Sequence, residues 1–264
     1  LGEVEEYIAT AQIADELVEV LNAFQETINS PNEGTNVWVS GFFGSGKSSF
    51  AKVLGYLLAN PVISGTPVAD RFFELNEIPR AKALLNTIHS QAPAEGGLLA
   101  LSQSTNVLND GEPVVLPVYR ALLSALGYSR DITLAELEFG LEGRGELDRF
   151  AEAFERVNGR TWESSRDVIL AKSEASRTLH EIDAETYPAA DSWAVTVTAP
   201  EVNENWFADR ALDMLARRRP DTARLVFVVD EVGQYVARST KRMLHLQGLA
   251  QAMQKKKGKL WLVV

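Results

Sequence analysis

Eight consecutive residues, Gly41, Phe42, Phe43, Gly44, Ser45, Gly46, Lys47 and Ser48, follow the pattern G-x-x-x-x-G-K-[ST]. The chemistry this implies is capture of a nucleotide's phosphates. Glycines admit backbone angles barred to other residues, so successive amide N–H groups turn inward around an anion at the positive end of a following helix. Gly41, Gly44, Ser45, Gly46 and the backbone of Ser49 are the expected cradle for ATP. Lys47 is placed to meet the β and γ phosphates as a point charge, and the Ser48 hydroxyl to ligate Mg2+. The rival use of the same residues is a glycine turn that merely caps a helix.

A magnesium shell needs a hard oxygen beyond the phosphates, and Leu225 to Glu231 (LVFVVDE) supplies two acids at the end of an apolar run. Asp230 is the expected metal ligand, and Glu231 the residue that polarises the attacking water, which makes Glu231 and Lys47 the catalytic pair. The rival here is a pair of acids at a strand end that caps a helix. A second rival is chemical: Asp230, Glu231, Val232, Gly233 and Gln234 also spell D-x-x-G-Q, the pattern by which small GTPases orient water with a glutamine. The long interval between Lys47 and Asp230 and the absence of a guanine-reading N-K-x-D weigh against that rival.

These residues require elements to hold them. Thr35 to Ser40 (TNVWVS) reads as a short buried strand before the loop, and Phe50, Val53, Leu54, Leu57 and Leu58 repeat at helical spacing after it until Asn60 and Pro61. From Glu3 to Ile28 the apolar spacing is that of an amphipathic helix. Gly97 to Gln103 is a second strand candidate and Val114 to Leu126 a helix. Thr133 to about His180 is charged and helically periodic, and Asn203 is placed to cap a helix that Pro220 closes. Arg224 to Val229 reads as a central parallel strand, Leu244 to Met253 as a helix and Leu260 to Val264 as another buried strand.

Strands alternating with helices argue an α/β fold with a parallel sheet flanked by helices. The expected organisation is an N-terminal helix leading into the core (1–34), the first part of a P-loop core (35–132), a helical insertion (133–193) and the rest of the core with the Asp230 strand (194–264). Leu1 is not a methionine and Val264 falls inside an apolar run, so the sequence reads as a segment of a longer chain.

Four segments carry a more specific likeness: Val37 to Ser48 (VWVSGFFGSGKS), Leu141 to Phe154 (LEGRGELDRFAEAF), Asn158 to Arg166 (NGRTWESSR) and Leu225 to Val236 (LVFVVDEVGQYV). Together they resemble the BrxC family of large P-loop ATPases from bacteriophage exclusion (BREX) systems and its PglY counterpart in phage growth limitation. The resemblance runs through most of the chain. It implies a P-loop NTPase fold of the AAA-like/ASCE kind, and the N-terminal ATPase region of an antiphage complex. Family members often carry histidine where this chain has Ser49, a difference that backbone phosphate binding should survive.

Composition narrows the alternatives. With 45% apolar residues the 264-residue chain can bury a full core, and with no cysteine it has no disulfide framework and no thiolate metal site. His89, His180 and His245 show no ligand spacing, and no apolar run approaches the roughly 20 residues that span a bilayer. A cytoplasmic protein without membrane contact is expected. The net charge is -10, yet 11 basic and 3 acidic residues fall between Arg217 and Lys259, in clusters at Arg217 to Arg219 and Lys255 to Lys257. Helix ends complementing their dipoles account for such clusters more simply than a DNA surface does. DNA is therefore expected to be reached indirectly, with other BREX-type proteins and self-association as the partners. Trp162 and Trp193 are taken as core or interface residues. Besides ATP hydrolysis that drives conformational work, a nucleotide-gated scaffold with little turnover and a GTPase-like switch remain as readings.

Overall fold

The computed structural model describes residues 4, 6–42, 44–100, 113–230, 232–237 and 239–264. The chain divides into two compact units, one comprising Leu1–Leu122 with Val202–Val264 and the other Leu123–Glu201.

The first unit is an α/β layer structure. Its sheet contains β1 (Asn36–Val37), β4 (Ala94–Ala100), β5 (Arg224–Asp230) and β6 (Leu260–Val263), all parallel, in the order β1-β6-β5-β4. β5 and β6 are buried along almost their whole length, as continuous apolar runs flanked by helices require. β1 is shorter than the run Thr35 to Ser40 suggests, but its ladder continues irregularly: Val39 N–H donates to the Val264 carbonyl and Val264 N–H to that of Val37. The second strand begins at Ala94, three residues earlier than its apolar run, and the remainder of the expected strand lies outside the described residues.

Helices cover this sheet. α1 (Ala11–Asn29) begins at a Thr10 cap, later than the Glu3 start expected from periodicity, and buries Leu17, Leu21 and Phe24. Phe24 packs on Trp261 of β6 with ring centroids 4.6 Å apart. α2 (Lys47–Ala59) buries Phe50, Val53, Leu54, Leu57 and Leu58. A small antiparallel ribbon, β2 (Val62–Ile63) with β3 (Thr66–Pro67), then leads into α3 (Val68–Leu75) and α4 (Pro79–Gln91). Most of α5 (Val115–Leu126) also belongs here, with α11 (Glu204–Arg218), α12 (Val232–Val236) and α13 (Thr240–Gln254). Asn203 caps α11 as expected, accepting from Trp206 N–H, and Tyr119, Phe207 and Phe227 form a chain of edge-on rings onto β5.

α2 is pinned at its far end by a polar lock. Asn60, its left-handed cap, accepts from Ala69 N–H through Oδ1, which turns its Nδ2 towards His89 Nδ1 at 3.3 Å. His89 Nε2 then donates to the Leu57 carbonyl at 2.8 Å, so the neutral ring satisfies every partner. Burial pulls the His89 pKa below its ordinary value, outweighing the upward pull of the Leu57 and Leu58 carbonyls.

The second unit is helical: α6 (Ile132–Arg144), α7 (Leu147–Asn158), α8 (Trp162–Ser165), α9 (Ala171–Ile182) and α10 (Ser192–Thr196). Its core joins Leu134, Leu141, Phe150, Phe154, Leu179 and both tryptophans singled out above, Trp162 and Trp193. Glu138 is buried among them. Its Oε1 accepts from Trp162 Nε1 and its Oε2 from Ser129 N–H, each at 2.7 Å, with Arg166 3.4 Å from Oε1.

Candidate functional site

The parallel strands end together at one edge of the sheet, the place where open α/β sheets bind ligands. Register puts Ala100 beside Asp230 at that edge, and Val37 beside Val263. The loop from Gly41 to Gly46 leaves the same end of β1 and turns into α2.

Two glycines make the turn. Gly44 and Gly46 have φ of 78° and 83°, where any side chain would be strained, and Gly46 is the left-handed N-cap of α2. Gly41 matters for a different reason: a Cβ there would lie 2.7 Å from Ser45 Oγ. Ser45 N–H donates to the Phe42 carbonyl, tightening the loop, and Phe50 N–H to that of Gly46, opening the helix ladder. Gly46 as N-cap offers no side chain to the N–H groups of that turn, which include Ser48 and Ser49, and the first turn contains no acidic residue. Such a terminus favours an anion.

Lys47 Nζ donates to the carbonyls of Gly41 and Phe42 at 2.8 and 2.6 Å, which keeps the ammonium against the loop. Ser48 Oγ donates to Asp230 Oδ1 at 2.8 Å, joining residues 182 positions apart. The structure therefore brings together the hydroxyl and the carboxylate that sequence reasoning assigned to one metal ion. Two hard oxygens on adjacent rigid elements, beside a helix N-terminus, fit Mg2+, which takes few protein ligands and completes its shell with phosphate and water. Among the described residues no cluster of three or more acidic, histidine or cysteine side chains forms a metal cage.

Glu231 and Phe43 lie outside the described residues. Gln234 falls in α12, with its backbone alone described.

Two residues of this site escaped the sequence reading. Lys52 reaches towards Asp230 from α2, its Nζ 4.0 Å from Oδ2. The signal was its spacing, four residues after Ser48 and so on the same helical face. Gly55 is the second. A Cβ there would lie 2.5 Å from Val228 Cγ2, so its bareness lets α2 lie on β5 two residues before Asp230. A glycine inside a helix, costing about 1 kcal/mol against alanine, was itself a sign of close packing.

The basic clusters are partly absorbed into helix ends. Arg217 and Arg218 occupy the last turn of α11, while Lys255 contacts Asn205 and Lys256 pairs with Asp209. No helix among the described residues is long and apolar enough to cross a membrane. No protein-family model matches this chain, and no solved structure matches it.

Proposed function

We propose that the first unit binds Mg-ATP at the Gly41 to Ser49 loop and hydrolyses it, as the ATPase region of an antiphage complex of the BREX kind. The observation that carries the reading is the hydrogen bond from Ser48 to Asp230, made across the sheet from the first turn of α2 to the end of β5. A glycine turn that only capped a helix would have no use for an acid positioned there.

Each group has a task in this reading. The glycine loop and the N-terminus of α2 bind the phosphates through backbone N–H groups. Lys47 exchanges its two carbonyl partners for phosphate oxygens, and Ser48 and Asp230 hold the metal ion. The bound Mg2+ would supply charge neutralisation across the β and γ phosphates. Glu231, next along the chain from Asp230, is assigned the activation of water.

The long interval between Lys47 and Asp230 and the absence of N-K-x-D favour the AAA-like reading over the GTPase-like one. β6 lies between the loop strand β1 and the acidic strand β5, so Asp230 reaches Ser48 from a strand not adjacent to the loop strand. The defence-complex setting rests on the four resembling segments alone.

Hydrolysis of ATP and of GTP by the full-length protein, compared with binding of each, tests the proposal. Wild type is expected to bind and turn over ATP, Lys47→Ala to lose binding, and Glu231→Gln to keep binding and lose turnover. Binding without turnover in the wild type would select the scaffold reading. A dead Gln234→Ala beside an active Glu231→Gln would select the GTPase reading.

A further inference from the structure

Both oxygens of the carboxylate that ends β5 are approached from one face of one helix. Ser48 and Lys52 sit a turn apart on α2, with Ser48 Oγ 2.8 Å from Asp230 Oδ1 and Lys52 Nζ 4.0 Å from Oδ2. The Lys52 and Asp230 side chains are 23% and 14% exposed, so water screens the pair only in part. Gly55, three residues after Lys52, lets the same helix lie close on β5.

This arrangement bears on how a cation enters. A divalent ion arriving alone would meet a carboxylate that already faces an ammonium 4.0 Å away, and would gain one hydroxyl and one carboxylate oxygen against that ammonium's repulsion. A triphosphate reverses that balance, because its oxygens add both charge and ligands to the same ion. We propose that Lys52 is the counter-cation of this metal site: it neutralises and orients Asp230 so that Mg2+ enters only together with nucleotide. The proposal rests on the ATPase reading and adds to it an order of ligand arrival. Lys52 acts through Asp230 and is a positioning residue.

Metal entry can be read without turnover. Mn2+ is titrated into the nucleotide-free 264-residue chain, and the electron paramagnetic resonance signal of the free ion is followed. Wild type and Lys52→Arg are expected to leave the ion free. Lys52→Met and Lys52→Gln are expected to bind one Mn2+ at least about tenfold more tightly, an affinity lost when Asp230→Asn is added. Two neutral variants of different shape guard against one that misfolds. Equal Mn2+ affinity in wild type and both neutral variants, or tight nucleotide-free binding by the wild type, overturns the proposal. Mg-ATP binding by the wild type, lost in Lys47→Ala, is the separate control. If it fails, the ATPase reading falls; if it holds while Lys52→Met matches wild type, this inference alone falls.

Discussion

Asp230 and Glu138 are acids largely withdrawn from solvent, one in each unit, and the protein holds them in opposite ways. Glu138 is 1% exposed, and it is held by Ser129, Trp162 and Arg166, three residues of its own helical unit. Two of them are an indole and a backbone N–H, which have no other chemistry to offer. Asp230 stands where strands end, still touched by solvent, and the groups that face it include a hydroxyl and an ammonium brought from a helix far away in sequence. Water, phosphate or a metal ion can substitute for those. A carboxylate braced by groups that nothing displaces keeps a core in register, whereas one held by exchangeable groups can take a ligand.

That contrast predicts which variants fail in which assay. Asp230→Asn is expected to lower ATP turnover about a thousandfold, roughly 4 kcal/mol of barrier, while urea denaturation stays close to wild type. Glu138→Ala should do the reverse in stability, costing about 3–5 kcal/mol because it strands Arg166 and two buried donors. Comparable destabilisation by both would erase the distinction. The seat of α2 is the next test: Gly55→Ala is expected to cost about 1–3 kcal/mol by overpacking against Val228, with most of it restored by adding Val228→Ala. An unchanged denaturation midpoint in the single variant would mean that the helix stands further off the sheet.

The smallest effect concerns pH and lies at the other end of the same helix. His89 is held neutral, with its pKa below the ordinary value of about 6.5 that the unfolded chain regains. As pH falls through that value the unfolded state takes up a proton first, so stability drops, and the loss levels off below the folded pKa. The stability advantage of wild type over His89→Gln should therefore narrow between pH 7.5 and 5.5. A constant difference would show that the Asn60 and Leu57 contacts do not discriminate between the protonation states.

Much of this was readable from residues because single local signals dominated. LVFVV and LWLVV are unbroken apolar runs, and they are the two buried inner strands. Asn203 and Asn60 end helices through their own side chains or left-handed backbone. What stayed hidden were features with no local signature. The β2–β3 ribbon, α3 and α4 carry mixed patterns whose burial only the assembled core decides. Within Leu141 to Phe154 and Asn158 to Arg166, Phe150, Phe154 and Trp162 pack a core, and Trp162 and Arg166 hold Glu138, a role that residue types alone did not show. Of the candidate site, the loop and Asp230 were legible as patterns. Lys52 was not, since a lysine on a helix reads as a solvated charge until the acid opposite is known.

The sheet order also fixes a schedule of synthesis. Among the described strands β1 has one neighbour, β6, with Asn36 aligned to Leu262. A nascent chain thus emerges with its glycine loop some two hundred residues before the strand that anchors it. At about 5–20 residues per second, that wait is on the order of ten seconds to a minute. The loop strand must spend it as an unpaired edge, while α2 can already form from local contacts. The glycine loop therefore gains the support of its neighbouring strand only once β6 has emerged, and a ribosome stalled before Leu260 would carry the complete G-x-x-x-x-G-K-[ST] pattern on a strand without that partner.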